Sequence, residues 1–370
     1  MTTFLNQPDY RHGTPERIGV LAVNLGTPDD PSTAAVRRYL AEFLWDPRII
    51  EVPRPIWWLV LNLVILRFRP AKSAHAYRTI WTPEGSPLLL HSRALAAGLE
   101  TTLASRLPGP VKVELAMTYG NPSIAAGLEK LRAAGARRIL VLPLYPQYSA
   151  TTTASIFDRI SKELRRWRWL PELRFINQYH DEPAWIAAMA GSIRAHWQAQ
   201  GRQDHLLFSF HGIPRRYLLN GDPYHCQCHQ SARQVAEALG LARHEWSLSF
   251  QSRVGKEEWL RPYTDELLRE YGKSGPRRIT AVCPGFAVDC LETLEEIAIR
   301  NRDDFIAAGG ESLDYVPCLN DSPDHVALLA DLVARHCRGW PEAEPGYDPA
   351  TRAEAGAAAA ARAIELGAES

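Results

Sequence analysis

Short apolar, β-branched runs alternate with amphipathic stretches along most of the chain. Residues 18–24, 111–117, 138–144, 206–210, 279–283 and 314–316 read as strands. Helical spacing of apolar positions covers residues 33–43, 92–107, 123–134, 156–169, 183–200, 231–239, 259–271, 290–308 and 323–336. Such alternation predicts βαβ units, and so parallel sheets covered by helices on both faces. Runs such as Ile139-Leu-Val-Leu142 are apolar throughout, as a parallel strand buried on both faces requires. The pattern divides near residues 177–181. It predicts an α/β chain of two similar domains, residues 15–178 and 179–340, with the last helix packing back on the first domain. Residues 341–370 form an Ala-rich tail expected to be mobile.

One stretch breaks the alternation. Residues 56–66 are almost wholly apolar, but the run is about half the roughly 20 residues that cross a bilayer. It forms an apolar lip within residues 53–70, either a core helix or one resting at a membrane interface. Trp57 and Trp58, with Arg54, Arg67 and Arg69 beside the run, suit an interface and anionic headgroups. Weak peripheral contact with the inner membrane is therefore expected.

Composition narrows the function. The 370 residues are 46% hydrophobic and 23% charged, which excludes disorder over most of the chain. Forty-two basic and 42 acidic residues cancel, so no general nucleic-acid binder is indicated. Six cysteines are too few for a disulfide scaffold and suit a reducing compartment. Residues 1–17 are polar and hold no apolar signal core, so a cytoplasmic protein is expected. No G-x-G-x-x-G follows a strand, the P-loop-like Gly272-Lys-Ser274 has Leu267 where its first Gly would stand, and H-E-x-x-H is absent. The chemistry should then sit at the carboxyl ends of the strands.

Two strand ends carry candidate groups. The run 206–214 delivers His211 to a strand end, where Gly212 and Pro214 turn the chain away. Imidazole there can take a proton near neutral pH or ligate a metal, or can simply be a hydrogen-bonded turn residue. The run 279–296 ends a strand at Pro284-Gly285 and starts a helix near Asp289, placing Asp289, Glu292 and Glu296 on one face. The helix dipole accounts for acids in the first turn but not for Glu296. A row of carboxylates suits protons or a hard divalent cation. His225-Cys-Gln-Cys-His229 lacks the usual C-x-x-C spacing and reads as the exposed start of a helix.

These residues resemble the ferrochelatases. The matching segments are Val23-Asn-Leu-Gly-Thr-Pro28, Tyr77-Arg with Gly85-Ser-Pro87, and Tyr145-Pro-Gln-Tyr-Ser149. They continue with Phe208-Ser-Phe-His-Gly-Ile-Pro214, Ser249-Phe-Gln-Ser-Arg-Val-Gly255 with Trp259-Leu260, and the run 284–296. The resemblance implies ATP-independent insertion of Fe2+ into protoporphyrin IX, the last step of haem synthesis, in a cleft between two Rossmann-like domains. It makes His211 and Glu292 the catalytic and metal-binding pair and Asp289 and Glu296 an acidic path. Leu25, Arg69, Lys72, Tyr77, Tyr145, Trp259 and Phe286 would contact the porphyrin. Thr118 stands where many relatives have Arg, so a propionate contact there is in doubt. Only Cys337 lies where some relatives bind a [2Fe-2S] cluster, and Ala150 replaces a cysteine of the animal enzymes. No cluster or other cofactor is expected, with Cys226, Cys228 and Cys337 the residual candidates, and a monomer is expected. The competing readings are a chelatase for cobalt or coproporphyrin, a tetrapyrrole carrier or sensor without turnover, and a nucleotide-sugar enzyme.

Overall fold

The structure, a computed structural model, describes residues 4–5 and 11–368. Strands β1 (Arg17–Asn24), β2 (Val111–Met117), β3 (Ala136–Pro143) and β4 (Glu172–Phe175) form a parallel sheet in the order β2-β1-β3-β4. Strands β5 (His205–His211), β6 (Trp246–Gln251), β7 (Arg278–Val282) and β8 (Ser312–Val316) form a second parallel sheet in the order β6-β5-β7-β8. The two halves thus share one topology. Helices flank both sheets, as parallel crossovers demand. The predicted α/β class holds.

Two strands escaped the sequence pattern, and for different reasons. β4 is short, and its Glu172-Leu-Arg-Phe175 alternation lies at a sheet edge. β6 reads Trp-Ser-Leu-Ser-Phe-Gln, in which serines stand where a buried strand usually carries branched apolar residues. Ser249 is nevertheless fully buried, because its hydroxyl pairs with Thr264 Oγ1 at 2.8 Å.

The lip is one continuous helical rod: an α-helix Arg54–Val60, a π-helical turn Leu61–Ile65 and an α-helix Leu66–Ile80. It is not a core helix. Trp57, Leu61, Leu66, Pro70, Ala74 and Tyr77 face inward, whereas Ile56, Trp58, Leu59, Leu63, Val64 and Phe68 are exposed, Phe68 at 74%. Among the described residues no helix is long and apolar enough to cross a membrane.

The halves are joined by packing as well as by chain. One hydrophobic cluster includes Val20 and Leu140 of the first sheet and Phe208 and Val282 of the second, with Trp185 and Trp340 fully buried in it. Helix Pro323–His336 lies against helix Pro87–Arg106 of the first half, where Arg106 Nη1 donates to the Ala327 carbonyl at 3.0 Å. Arg138 of β3 pairs with buried Glu342 at 2.6 Å. The Ala-rich segment forms a helix, Pro349–Glu365, capped by Asp348 and burying none of its residues.

Candidate active site

His211 is the last residue of β5, with its backbone in register with Gln251 of β6. Its Nδ1 lies 2.7 Å from the Gly212 carbonyl oxygen. A carbonyl can only accept, so Nδ1 carries the proton and Nε2 of the neutral ring keeps its lone pair. Gly212 lets the chain pass close: a Cβ would lie 3.0 Å from the Gln251 carbonyl and 3.1 Å from the Trp259 ring, tight contacts that would press on both. The imidazole sits between two aromatic rings, Trp259 at 6.3 Å and Phe286 at 6.4 Å between centroids. All three are half-buried.

The acids are arranged differently from the sequence reading. The helix that carries them is a π-helix, Glu292–Asn301, and Asp289 lies before it. The i→i+5 bonding of a π-helix keeps residues four apart within one turn, so Glu292 and Glu296 stay close in azimuth. Asp289 is instead buried in the preceding turn, where its carboxylate accepts from Tyr315 Oη at 2.6 Å, Asn320 Nδ2 at 2.7 Å and Thr293 Oγ1 at 3.0 Å. Asn320, with φ at +48°, returns its Oδ1 to the Asp289 amide at 2.8 Å. The i, i+3, i+7 row therefore does not exist as a helix face.

Glu296 accepts two bonds from Ser252, one from the amide at 2.9 Å and one from the hydroxyl at 2.6 Å. Burial pushes its carboxyl above the ordinary glutamate value, against the pull of Ser252, Arg300 and His211. Its electrostatic partners thus include both His211, which lowers the value, and Glu292, which raises it.

The first half supplies the facing wall. Tyr39, Tyr77 and Tyr145 are pushed well above the usual phenol value by burial, and the charge of Glu292 adds to the rise in each. Arg69 is half-buried; burial lowers its pKa, while Glu292 and Tyr77 oppose the fall. Leu25 packs against the cluster that holds Tyr39 and Tyr77. Gly26, at φ +116°, follows it in a turn so tight that a Cβ would lie 1.8 Å from the Tyr119 carbonyl. Lys72 is exposed on the same helix as Arg69. Thr118 is buried and donates from Oγ1 to the Asn24 carbonyl at 3.1 Å, tying β2 to β1. It is a strand-end tether with no charge to offer a propionate.

The structure thus brings His211, Trp259, Phe286, Glu292 and Glu296 of one half opposite Leu25, Arg69, Tyr77 and Tyr145 of the other, with Asp289 behind and Lys72 outside. Gln251 and Ser252, which hold the acid helix, were not singled out from the sequence. The only signal was the Ser249-Phe-Gln-Ser run itself. The His225–His229 cluster lies elsewhere, at the start of helix Tyr224–Leu239. Its two imidazoles are 4.4 Å apart between centroids, Cys226 is exposed, and Cys228 is buried in the hydrophobic cluster.

The sequence profile of the ferrochelatase family matches residues 17–337. A ferrochelatase of Thioalkalivibrio sulfidiphilus is 59% identical over 366 residues, covering 99% of each chain. One from Marinobacter nauticus is 54% identical over 339 residues, covering 91% of this chain and 92% of its own. Among solved structures, SirB from Bacillus subtilis with Fe3+ superposes with a TM-score of 0.51 at 14% identity, covering 87% of this chain and 96% of that one; this likeness speaks for the fold alone. By the match along nearly its whole length, the chain belongs to the ferrochelatase family.

Proposed function

We propose that the cleft centred on His211 is where this ferrochelatase inserts Fe2+ into protoporphyrin IX, forming protohaem and releasing two protons. The chain is an enzyme of porphyrin metallation. The residue roles are our reading, and the observation that carries it is the 2.7 Å contact of His211 Nδ1 with the Gly212 carbonyl. A base is needed on one side of the macrocycle to take the pyrrole protons, and Nε2 is the nitrogen left without one.

The rest follows from the chemistry of a flat ring with two inner N–H groups. Metal cannot enter along the plane, so the ring must bend until a pyrrole lone pair faces one side. Contacts at the periphery supply that distortion. Trp259 and Phe286 on one wall and Leu25, Tyr77 and Tyr145 on the other are apolar surfaces fit for a macrocycle. Arg69 and the exposed Lys72 suit its propionates. Glu292 receives or orients Fe2+ opposite the base, because carboxylates hold this ion exchangeably. Glu296 passes protons or iron outward, its raised pKa favouring a group that can change protonation state. Asp289 acts by holding the turn that aims Glu292, since its oxygens are already engaged.

The reading includes no iron–sulfur cluster. Cys228 and Cys337 are both buried in the hydrophobic cluster and Cys226 is exposed, so the residual thiols do not form one accessible ligand set. It also includes weak, peripheral membrane contact through the exposed lip, in a monomeric protein. The test is an anaerobic assay of the purified protein with Fe2+ and protoporphyrin IX. Growth of the haem Soret band is expected; its absence, or preference for Co2+ or coproporphyrin, would overturn the assignment. Stoichiometric iron and sulfide in the anaerobically purified protein would overturn the cluster-free reading.

A further inference from the structure

We infer that Gln251 is a positioning residue that sets His211 and Glu292 against each other, an inference that rests on the roles just proposed for those two. Gln251 ends β6 and is buried. Its backbone carbonyl accepts from the Gly212 amide at 2.8 Å, and the Gly212 carbonyl in turn holds His211 Nδ1. Its side-chain Nε2 donates to the Glu292 carbonyl at 2.7 Å, at the first residue of the π-helix. Its Oε1 accepts from Ser209 Oγ at 2.6 Å and, more weakly, from Cys283 Sγ at 3.6 Å. Ser209 is bonded through Thr264 to Ser249, so the amide is fixed from behind by three hydroxyls. One residue therefore reaches the proton acceptor through its backbone and the metal-side acid through its amide. The next residue, Ser252, with φ at +67°, turns amide and hydroxyl together onto Glu296.

This arrangement has a consequence that packing alone does not have. A carbonyl has two lone pairs, so the Glu292 carbonyl can accept the Gln251 amide besides its helical partner, and a buried amide with both ends used holds that first turn in place. An apolar side chain of the same length would fill the space and remove only the donor that Gln251 gives the Glu292 carbonyl. Loss of the tether should displace Glu292 while the porphyrin walls on the first half stay unchanged.

The experiment compares wild type with Gln251→Met and Gln251→Ala by anaerobic turnover, porphyrin fluorescence titration and thermal melting. Gln251→Met keeps volume and removes all three side-chain hydrogen bonds. Expected for both variants are a fall in kcat of about tenfold or more, a raised KM for Fe2+, and porphyrin affinity within about twofold of wild type. Full activity in Gln251→Met with loss only in Gln251→Ala would make Gln251 a packing residue and overturn the inference. So would loss of porphyrin binding in step with turnover, or a variant that no longer melts cooperatively. If wild type itself fails to metallate protoporphyrin IX, it is the functional reading that fails; if wild type is active and Gln251→Met equally so, only this inference does.

Discussion

At the scale of single residues, the two ends of the reaction are separable. His211 stands alone as a half-buried imidazole whose protonated nitrogen is already assigned, so its truncation removes the base without removing a wall. His211→Ala is expected to lower turnover by roughly 10² or more while protoporphyrin still binds. Retention of more than about a tenth of the activity, measured by single-turnover Soret kinetics, would contradict the role. Glu292 and Glu296 should differ. Glu292 faces the tyrosine wall and Arg69, whereas Glu296 is held by Ser252 and stands further along the helix. Glu292→Gln should cost as much as His211→Ala, with Glu296→Gln milder; equal losses would break this order. His211, Glu292 and Glu296 stand out in the sequence because His211 ends an apolar strand and the acids follow the Pro284-Gly285 turn after another. Gln251 shows in the sequence only as part of the Ser249-Phe-Gln-Ser run, and its tether appears only when β6 is seen beside β5.

At the scale of elements, the acid helix and the lip both depart from simple helical reading. A π-helix and an α-helix differ too little over two turns for apolar spacing to tell them apart. The error therefore fell on Asp289, whose position depends on where the helix starts. That turn depends on a buried histidine: His325 Nδ1 donates to the Asn320 carbonyl at 2.5 Å, and Asn320 holds Asp289. Burial lowers the His325 pKa from 6.5 to about 4. The folded state thus binds this proton less readily than the unfolded chain, so stability is present above the unfolded value and is lost as pH falls towards 4. The gap corresponds to about 3 kcal/mol. Denaturant unfolding between pH 7 and 4 should show this slope in wild type and a shallower one in His325→Gln; parallel curves would exclude His325 as the cause. For the lip, Trp57 is a poor probe, because it is buried with its Nε1 donating to the Leu44 carbonyl at 2.7 Å. Trp58→Ser with Phe68→Ser removes exposed apolar surface instead. Flotation with anionic liposomes should fall in that variant with turnover in detergent kept, and no flotation of wild type would dismiss the interface.

For the whole molecule, the alternation of runs disclosed an α/β chain and its two halves, but not that both sheets have the same strand order or that their cores merge. Order within a sheet is a long-range property, and the two halves share no visible sequence repeat. Merging depends on side chains such as Trp185, Trp340 and Phe208, which are hydrophobic in any model and reveal their neighbours only when folded. The division near residues 177–181 therefore marks topology rather than independent stability. A cluster running through both sheets, together with the Arg138–Glu342 pair and helix Pro323–His336 lying on helix Pro87–Arg106, means that opening one half exposes apolar surface of the other. At roughly 25 cal/mol per Å² of apolar surface, even a few hundred Å² shared between the halves costs several kcal/mol to separate, a large part of the about 5–15 kcal/mol that stabilises a typical native protein. Unfolding should accordingly be one cooperative transition rather than two. Differential scanning calorimetry of the full chain should give a single peak whose calorimetric and van't Hoff enthalpies agree. Residues 15–178 expressed alone should lack that cooperativity and bind a hydrophobic dye. Two resolved peaks, or a cooperative melt of the isolated half, would show that the halves are stable on their own and that the shared cluster only cements them.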